Sequence, residues 1–321
     1  MRTRTVLKTL PFVLAGTVLA TAAIGHSMFT SLDGNIRIDN SAVAALADER
    51  ERVADTPGQN ILLLGSDNRG DEISRGDARS DTIMLLHVAD GGGRASVTSF
   101  PRDLMVDIPR CKAVGNRAGA PGGKQGQLNW SYHYGGAACT IRTIEKLTKV
   151  RVDHHLNVDF DGFKEVVDAV GGVPVKLKKP LHDRRAQLSL PAGEQVLNGD
   201  QALGYMRTRK GVADGSDSSR IRRQQAFLKK ATRQVREAGT LTRPDKLYGV
   251  LDAGTQALTA DPGLGSLEEL YGLLSQVRSV PDSEFRFRTV PVRPHPADRN
   301  RLALKEPAAG KLFSRLRKDN S

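Results

Sequence analysis

The sequence lacks the residue patterns that mark several large enzyme classes. Its 321 residues include only two cysteines and seven histidines, without the close Cys/His spacing of a zinc site. It also lacks a Gly-x-Ser-x-Gly nucleophile motif, a Walker phosphate-binding loop and a dinucleotide-binding glycine fingerprint. These absences argue against a zinc protein, an α/β-hydrolase, a P-loop NTPase and a Rossmann dehydrogenase.

Acidic residues are scarce relative to basic ones. The chain has 48 Lys and Arg against 36 Asp and Glu, so its formal net charge is +12. A basic balance of this size predicts an anionic partner, which can be a nucleic acid, an anionic lipid, an acidic polymer or a phosphate-bearing substrate.

The N-terminal segment narrows this choice of partner. Basic residues within residues 1–9 precede an apolar run over residues 10–29 that is long enough to cross a bilayer, and acidic residues follow. This asymmetry predicts a cytoplasmic tail over 1–9, a transmembrane anchor over 10–29, and an extracellular remainder held at the cell membrane. A cleaved signal peptide is the alternative, since Ala20-Thr21-Ala22 resembles a cleavage site. Both interpretations export most of the chain and argue against nucleic-acid binding.

The rest of the chain divides into a polar spacer over residues 30–59, a catalytic domain over 60–300 and a basic C-terminal tail over 301–321. Continuous apolar runs, among them 61–64 and 82–88, predict buried strands, and amphipathic segments further along predict helices. His87, within such a run, is predicted to be a core residue. Residues 110–127, rich in Gly, Lys and Pro, predict a surface loop. The mixture indicates an α/β fold with a central mixed β-sheet flanked by helices.

The two cysteines, Cys111 and Cys139, belong to the part of the chain that is predicted to be exported. An oxidising compartment favours a disulfide between them, and two buried free thiols are the alternative. A bridge closing a loop of this length would stabilise the fold by about 3–4 kcal/mol in the chain-entropy model.

Carboxylates follow one predicted strand and open the next. Asp67 comes shortly after the strand over 61–64, and Asp81 directly precedes the strand over 82–88. Neighbouring strand ends can bring the two together, and paired carboxylates bind Mg²⁺ or Mn²⁺ alongside substrate phosphates. The alternative is that both carboxylates cap turns or pair with adjacent arginines such as Arg79.

Arginines gather near the same predicted edge and in a later helix. The set comprises Arg79, Arg102, Arg207, Arg209, Arg220, Arg223 and Gln224. Guanidinium groups bind phosphate oxygens in bidentate fashion, so these residues predict a pyrophosphate site, with Asp103 orienting Arg102. A solvated basic helix face is the alternative. Arg222 falls on another face of the helix predicted to begin at Asp217.

Several of these segments occur in the order of a known family. They are 60–67 (NILLLGSD), 79–82 (RSDT), 101–103 (PRD), 158–163 (VDFDGF), 190–203 (LPAGEQVLNGDQAL), 205–209 (YMRTR) and 217–225 (DSSRIRRQQ). Over residues 60–235 the chain resembles the LytR-CpsA-Psr family of cell-wall glycopolymer ligases. Residues 110–127 and the Gly-rich stretch 210–216 lie outside the pattern that can be matched.

The resemblance implies an α/β/α fold and a phosphotransferase that moves a glycopolymer, such as a teichoic acid, from a polyprenyl-pyrophosphate carrier to peptidoglycan. It implies magnesium ligands at Asp67 and Asp81 and pyrophosphate contacts from Arg79, Arg102, Arg207, Arg209 and Arg220, with Gln224 contributing. Two other functions stay open: a non-catalytic module that binds an anionic wall polymer, and a transcriptional regulator, which the exported topology argues against.

Overall fold

We describe a computed structural model of the chain over residues 25–50, 53, 55–66, 80–208, 217–237 and 243–319. Three predicted site residues, Asp67, Arg79 and Arg209, lie outside these ranges, as does most of the predicted anchor. Among the described residues, no helix combines the length and the apolar character needed to cross a membrane.

A seven-stranded mixed sheet forms the centre of the domain. In spatial order its strands are β1 (Arg37–Ile38), β12 (Leu258–Ala260), β7 (His154–Asp159), β2 (Gln59–Ser66), β3 (Ser80–Val88), β4 (Ala95–Phe100) and β13 (Phe285–Thr289). β2 is antiparallel to β3 and parallel to β7, and β13 is parallel to β4. The central strands read as continuous apolar runs because both faces of the sheet are covered.

Helices cover both faces, as the sequence predicts. They are α1 (25–35), α2 (Asn40–Glu49), α3 (Leu128–Thr148), α4 (Phe160–Ala169), α5 (Gly199–Arg207), α6 (Asp217–Glu237), α7 (Pro244–Ala257), α8 (Leu267–Ser279) and α9 (Ala308–Arg317). One core lies between the sheet and α2, α3 and α9, and a second lies between the opposite face and α8. His87 is a buried core residue, as predicted, with ring nitrogens 2.9 Å from Asn60 Oδ1 and 2.7 Å from Asp319 Oδ1.

The segment predicted as a surface loop over 110–127 belongs to a β-hairpin in which only residues 112–119 form the loop, so the loop prediction is wrong for residues 110–111 and 120–127. β5 (Met105–Cys111) and β6 (Ala120–Gln127) pair in antiparallel register. A Cβ at Gly122 would lie 2.8 Å from the Arg110 backbone nitrogen, so the close pairing of the strands requires the glycine that mimics a loop signal. The predicted disulfide is confirmed: Cys111 joins Cys139 of α3, and their Cα atoms are 5.5 Å apart.

Shorter strands complete the fold. They are β8 (Val173–Leu177) with β11 (Gly193–Leu197), β9 (Leu181–Asp183) with β10 (Leu188–Leu190), and β14 (Val292–His295) with β15 (Asp298–Leu304). The basic segment over 301–321, predicted as a tail, contains part of β15 and all of α9. Phe313 of α9 stacks on Phe100 with ring centres 6.4 Å apart. The apolar residues of α9 recur at helical spacing and are buried in the first core, which explains why this segment packs against the domain.

Candidate active site

A β-bulge places Asp81 at the end of the central sheet where β2 and β4 terminate. This end of the sheet is called the catalytic edge below. Gly65 of β2 pairs with Thr82 and Ser66 pairs with Ser80, so Asp81 is the additional residue on β3. A bulge interrupts regular pairing and redirects the side chain of the added residue. Asp67, the second predicted carboxylate, follows Ser66 in the sequence and lies outside the described residues.

Two arginines contact the Asp81 carboxylate. Arg102, two residues beyond β4, donates from Nη1 to Asp81 Oδ1 in an ion pair. Arg207, at the end of α5, has its Nε 3.9 Å from Asp81 Oδ2, and its guanidinium carbon lies 5.1 Å from the ring centre of Phe160. The three charged side chains stay between 19% and 32% exposed, so a ligand can reach them. The structure thus brings together three residues that the sequence predicts at one site.

Asp103 is held by the β5–β6 hairpin. Gln127, the last residue of β6, donates from Nε2 to Asp103 Oδ1 at 2.8 Å, and Asp103 Oδ2 lies 3.8 Å from Arg102 Nε. The backbone N–H of Asn129 also donates to the carbonyl oxygen of Arg102 at 3.1 Å. The start of α3 and the end of β6 therefore fix both the backbone and the side chains of this pair.

The first turns of α6 lie over the same edge. Arg220 and Gln224 are one helical turn apart and are only 3% and 4% exposed. Gln224 Nε2 lies 3.5 Å from Thr82 Oγ1 and 3.4 Å from the carbonyl oxygen of Met206. These contacts connect α6 to β3 and to the end of α5.

Arg223 faces a different environment. Its Nη2 donates to the carbonyl oxygen of Thr208, and its guanidinium carbon lies 5.4 Å from the ring centre of Tyr205. Burial lowers the pKa of the Arg223 guanidinium. These contacts dock α6 on α5, whereas the sequence predicts a pyrophosphate contact for this side chain. Arg222 is exposed, in agreement with its predicted outward face.

A buried polar network lies beneath the edge. Ser66 Oγ donates to Asn157 Oδ1 at 3.0 Å and accepts from Tyr132 OH at 3.2 Å, and Asn157 Nδ2 donates to Tyr132 OH at 3.0 Å. Burial raises the pKa of Tyr132. The network closes on itself, so it positions Ser66, the direct neighbour of Asp67, without exposing a reactive group.

The donor set at this edge fits a magnesium ion that is shared with a substrate. Mg²⁺ is bound by one or two carboxylates and completes its shell with water and phosphate oxygens. Asp81 is one such carboxylate, and Asp67 is the second by sequence. Within the described ranges, no cluster of three or more His, Cys, Asp or Glu side chains could hold a metal. A two-carboxylate site completed by phosphate is the arrangement that these residues suit.

Sequence reasoning missed three residues of the site: Thr82, Gln127 and Phe160. Phe160 and Thr82 lie inside motifs that carry the family resemblance, so their place in those motifs could have identified them as site residues. Gln127 has no such signal, because its partner Asp103 lies 24 residues away and only the hairpin brings them together.

Comparison with known proteins agrees with this geometry. The model of the LytR_cpsA_psr family matches residues 28–318. The chain belongs to this family. A similar member is the cell wall biosynthesis protein LcpA of Corynebacterium glutamicum, 31% identical over 262 residues, which are 73% of this chain and 50% of that protein.

Two further comparisons bear on the family assignment. The polyisoprenyl-teichoic acid–peptidoglycan teichoic acid transferase TagU of Bacillus cereus is 33% identical over 177 residues, 55% of this chain and 53% of that protein. The chain thus spans about half the length of the curated relatives it matches. The solved LytR-Csp2A-Psr enzyme from Actinomyces oris shares the fold, with a TM-score of 0.62, 20% identity and coverage of 84% of this chain and 96% of that one.

Proposed function

We propose that this LytR_cpsA_psr family member is a phosphotransferase that moves an anionic glycopolymer from a polyprenyl-pyrophosphate carrier to peptidoglycan, with Mg²⁺ or Mn²⁺ as cofactor. One observation carries the proposal: Asp81 lies between Arg102 and Arg207 at a sheet edge that α6 overlies. The names of two relatives, a cell wall biosynthesis protein and a teichoic acid transferase, support this class of substrate.

In the proposed reaction, a peptidoglycan hydroxyl attacks the phosphorus that carries the sugar. The bond from that phosphorus to the bridging oxygen of the pyrophosphate breaks, and polyprenyl phosphate leaves. Arg102, Arg207 and Arg220 bind the phosphate oxygens, where charge develops. A magnesium ion held by Asp67 and Asp81 would supply further neutralisation of that charge. Asp103, fixed by Gln127, orients Arg102, and a carboxylate at the edge accepts the proton of the hydroxyl.

We also propose that residues 10–29 anchor the chain in the cell membrane, with the N-terminus in the cytoplasm and the described domain outside. The disulfide between Cys111 and Cys139 supports an exported domain, because disulfides persist in oxidising compartments. A reporter enzyme that works only outside the cytoplasm should be active when it is fused after Ser321, and one that works only in the cytoplasm should be inactive there.

The decisive experiment is reconstitution with the purified full chain, a synthetic polyprenyl-pyrophosphate-linked oligosaccharide and peptidoglycan fragments. We expect polyprenyl phosphate and a phosphodiester-linked product to appear together, to vanish with a chelator and to return with Mg²⁺. Binding of the lipid-linked donor without either product would instead favour a non-catalytic module that holds wall polymer.

A further inference from the structure

Two arginines share one face of the edge strand of the sheet. Among the described residues, β13 is the last strand in the spatial order and pairs only with β4. Arg286 pairs with Ser96 and Arg288 with Thr98 in parallel register. Residues two apart in a strand point to the same face, so both arginines lie on the face that carries Thr98.

α9 brings a third arginine to this face. Phe313 stacks on Phe100 at the end of β4. Asp319, just past α9, bonds to His87 of β3, which pairs with Ser96 near the beginning of β4. α9 therefore runs along β4 in the opposite direction, and Arg315 lies between these two contacts. Arg315 is exposed, and its charge acts on Arg288.

The charges of this group are not balanced locally. Burial lowers the pKa of the Arg288 guanidinium, and the positive charges of Arg315 and Arg286 lower it further. In the part of the chain that the structure describes, none of the three arginines forms an ion pair or a side-chain hydrogen bond. Thr98 Oγ1 and Arg288 Nε are likewise buried polar atoms without a hydrogen-bond partner among the described residues. Buried polar atoms without partners are costly, and an anion would satisfy them.

A solvated basic face is the ordinary interpretation of clustered arginines. It does not account for Thr98, which is 0% exposed, or for the half-buried Arg288. We propose that Arg286, Arg288 and Arg315, with Thr98 beside Arg288 on the neighbouring strand, form a second anion site that binds a phosphodiester group of an anionic glycopolymer. The anion site stands on these observations alone, whereas the choice of polymer rests on the proposed function.

The position of this second site favours a polymer over an isolated phosphate. Gln225 of α6 donates from Nε2 to Ser99 Oγ at 3.0 Å and to the carbonyl oxygen of Arg288 at 3.1 Å, so α6, which overlies the catalytic edge, also packs on β4 and β13, from the face that carries Ser99 and not from the face of the three arginines. β4 ends at Phe100 and Arg102 lies in the following turn, so at about 3.3 Å per residue the path from Thr98 to Arg102 is at most roughly 13 Å. A chain with repeated phosphodiesters is long enough to occupy both sites at once, whereas an isolated phosphate is not.

Calorimetric titration of the full chain with a synthetic glycerol-phosphate oligomer tests the site. Arg315→Gln should weaken binding about threefold to tenfold at low ionic strength, and added salt should shrink the difference. Combining it with Arg288→Gln should weaken binding further. Arg278→Gln is a matched control, because Arg278 is also an exposed arginine in the last turn of a helix, α8, on the opposite face of the sheet.

Equal weakening by Arg278→Gln and Arg315→Gln would overturn the proposal, because net charge alone would then explain binding. Arginine-dependent binding to phosphatidylglycerol vesicles without binding to the oligomer would also overturn it and indicate a lipid-headgroup site. Arg102→Gln separates this proposal from the proposed function: it should impair transfer, and in this background Arg315→Gln should still weaken oligomer binding. Oligomer binding through Arg315 in a wild-type protein that transfers nothing would refute the proposed function alone. Thermal unfolding of each variant verifies the fold.

Discussion

The side-chain amide of Gln127 donates a hydrogen bond to the carboxylate of Asp103 at 2.8 Å. Gln127 ends β6, and Asp103 follows β4, so this contact joins the disulfide-linked hairpin to the catalytic edge. Asp103 in turn lies 3.8 Å from Arg102, which contacts Asp81. The neutral side chain of Gln127 therefore helps to orient Arg102 through Asp103.

Gln127→Ala should lower kcat for transfer about tenfold and change the KM for the lipid-linked donor little, because a hydrogen bond to a charged group contributes about 1.5–3 kcal/mol. Gln127→Glu would place a second carboxylate beside Asp103. Its defect should be larger at pH 8 than at pH 5, where protonation relieves the repulsion. Gln125→Ala, an exposed glutamine on the same strand, is the control. An equal loss in Gln125→Ala would contradict the assigned role.

Some elements of this fold can be predicted from the sequence and others cannot. β2, β3 and β4 can be predicted because strands buried on both faces must be apolar throughout. The β5–β6 hairpin cannot, because glycines such as Gly122 permit close strand approach and also signal loops. α5 was not predicted either; its signal is the capping box of Asn198 and Gln201, which sits among turn-forming residues.

The same limits hold for the candidate site. Asp81 and Arg102 can be predicted because strand ends expose charged side chains at one edge. The different surroundings of the arginines in α6 cannot be predicted in full. Helical spacing shows that Arg222 and Arg220 lie on different faces, but only the structure shows that Arg223 packs against Tyr205.

Substitutions in α6 should separate these roles. Arg220→Ala should weaken binding of the lipid-linked donor about tenfold to a hundredfold, the effect of losing one charge-assisted contact. Arg223→Ala should instead lower the free energy of unfolding, because it removes the contacts with Thr208 and Tyr205. Arg222→Ala is the control and should change neither quantity. Calorimetric titration and chemical denaturation measure the two effects, and an Arg222→Ala defect as large as that of Arg220→Ala would contradict the assignment.

Asp39 should make stability depend on pH at the acidic end. Burial would raise its pKa, but the His155 ring, whose Nε2 lies 3.4 Å from Asp39 Oδ2, and hydrogen bonds from Ser41 and the Ala42 N–H outweigh burial and lower the pKa to about 2. A lowered carboxylate pKa stabilises the fold above the unfolded value of about 4, and this stabilisation is lost as the pH falls toward 2. Asp39→Asn should therefore reduce the free energy of unfolding by about 2 kcal/mol at pH 6, and by much less near pH 2. Chemical denaturation of both proteins across this pH range measures the difference in their free energies of unfolding. A difference that does not change with pH would contradict the prediction.

Removal of the disulfide should destabilise the hairpin that holds Asp103. Cys111→Ala combined with Cys139→Ala should cost about 3–4 kcal/mol, the chain-entropy value for cysteines separated by 28 residues. Dithiothreitol should destabilise the wild type by a similar amount and leave the double variant unchanged. Alkylation of both cysteines in the native protein without prior reduction would contradict the prediction.

Asp81→Asn should separate donor binding from transfer. The substitution removes a metal-binding charge, and we expect kcat to fall roughly a hundredfold or more, since charge neutralisation at the reacting phosphate contributes several kcal/mol. It also removes the anion that competes with substrate for Arg102 and Arg207, so the donor should bind at least as tightly as in the wild type when Mg²⁺ is absent. Asp107→Asn, a half-exposed carboxylate of β5 paired with Lys146, is the matched control and should retain full transfer. Product formation and donor affinity measured side by side test both parts. Wild-type transfer by Asp81→Asn would refute the role of this carboxylate, and weaker donor binding without metal would refute its competition with substrate for the two arginines.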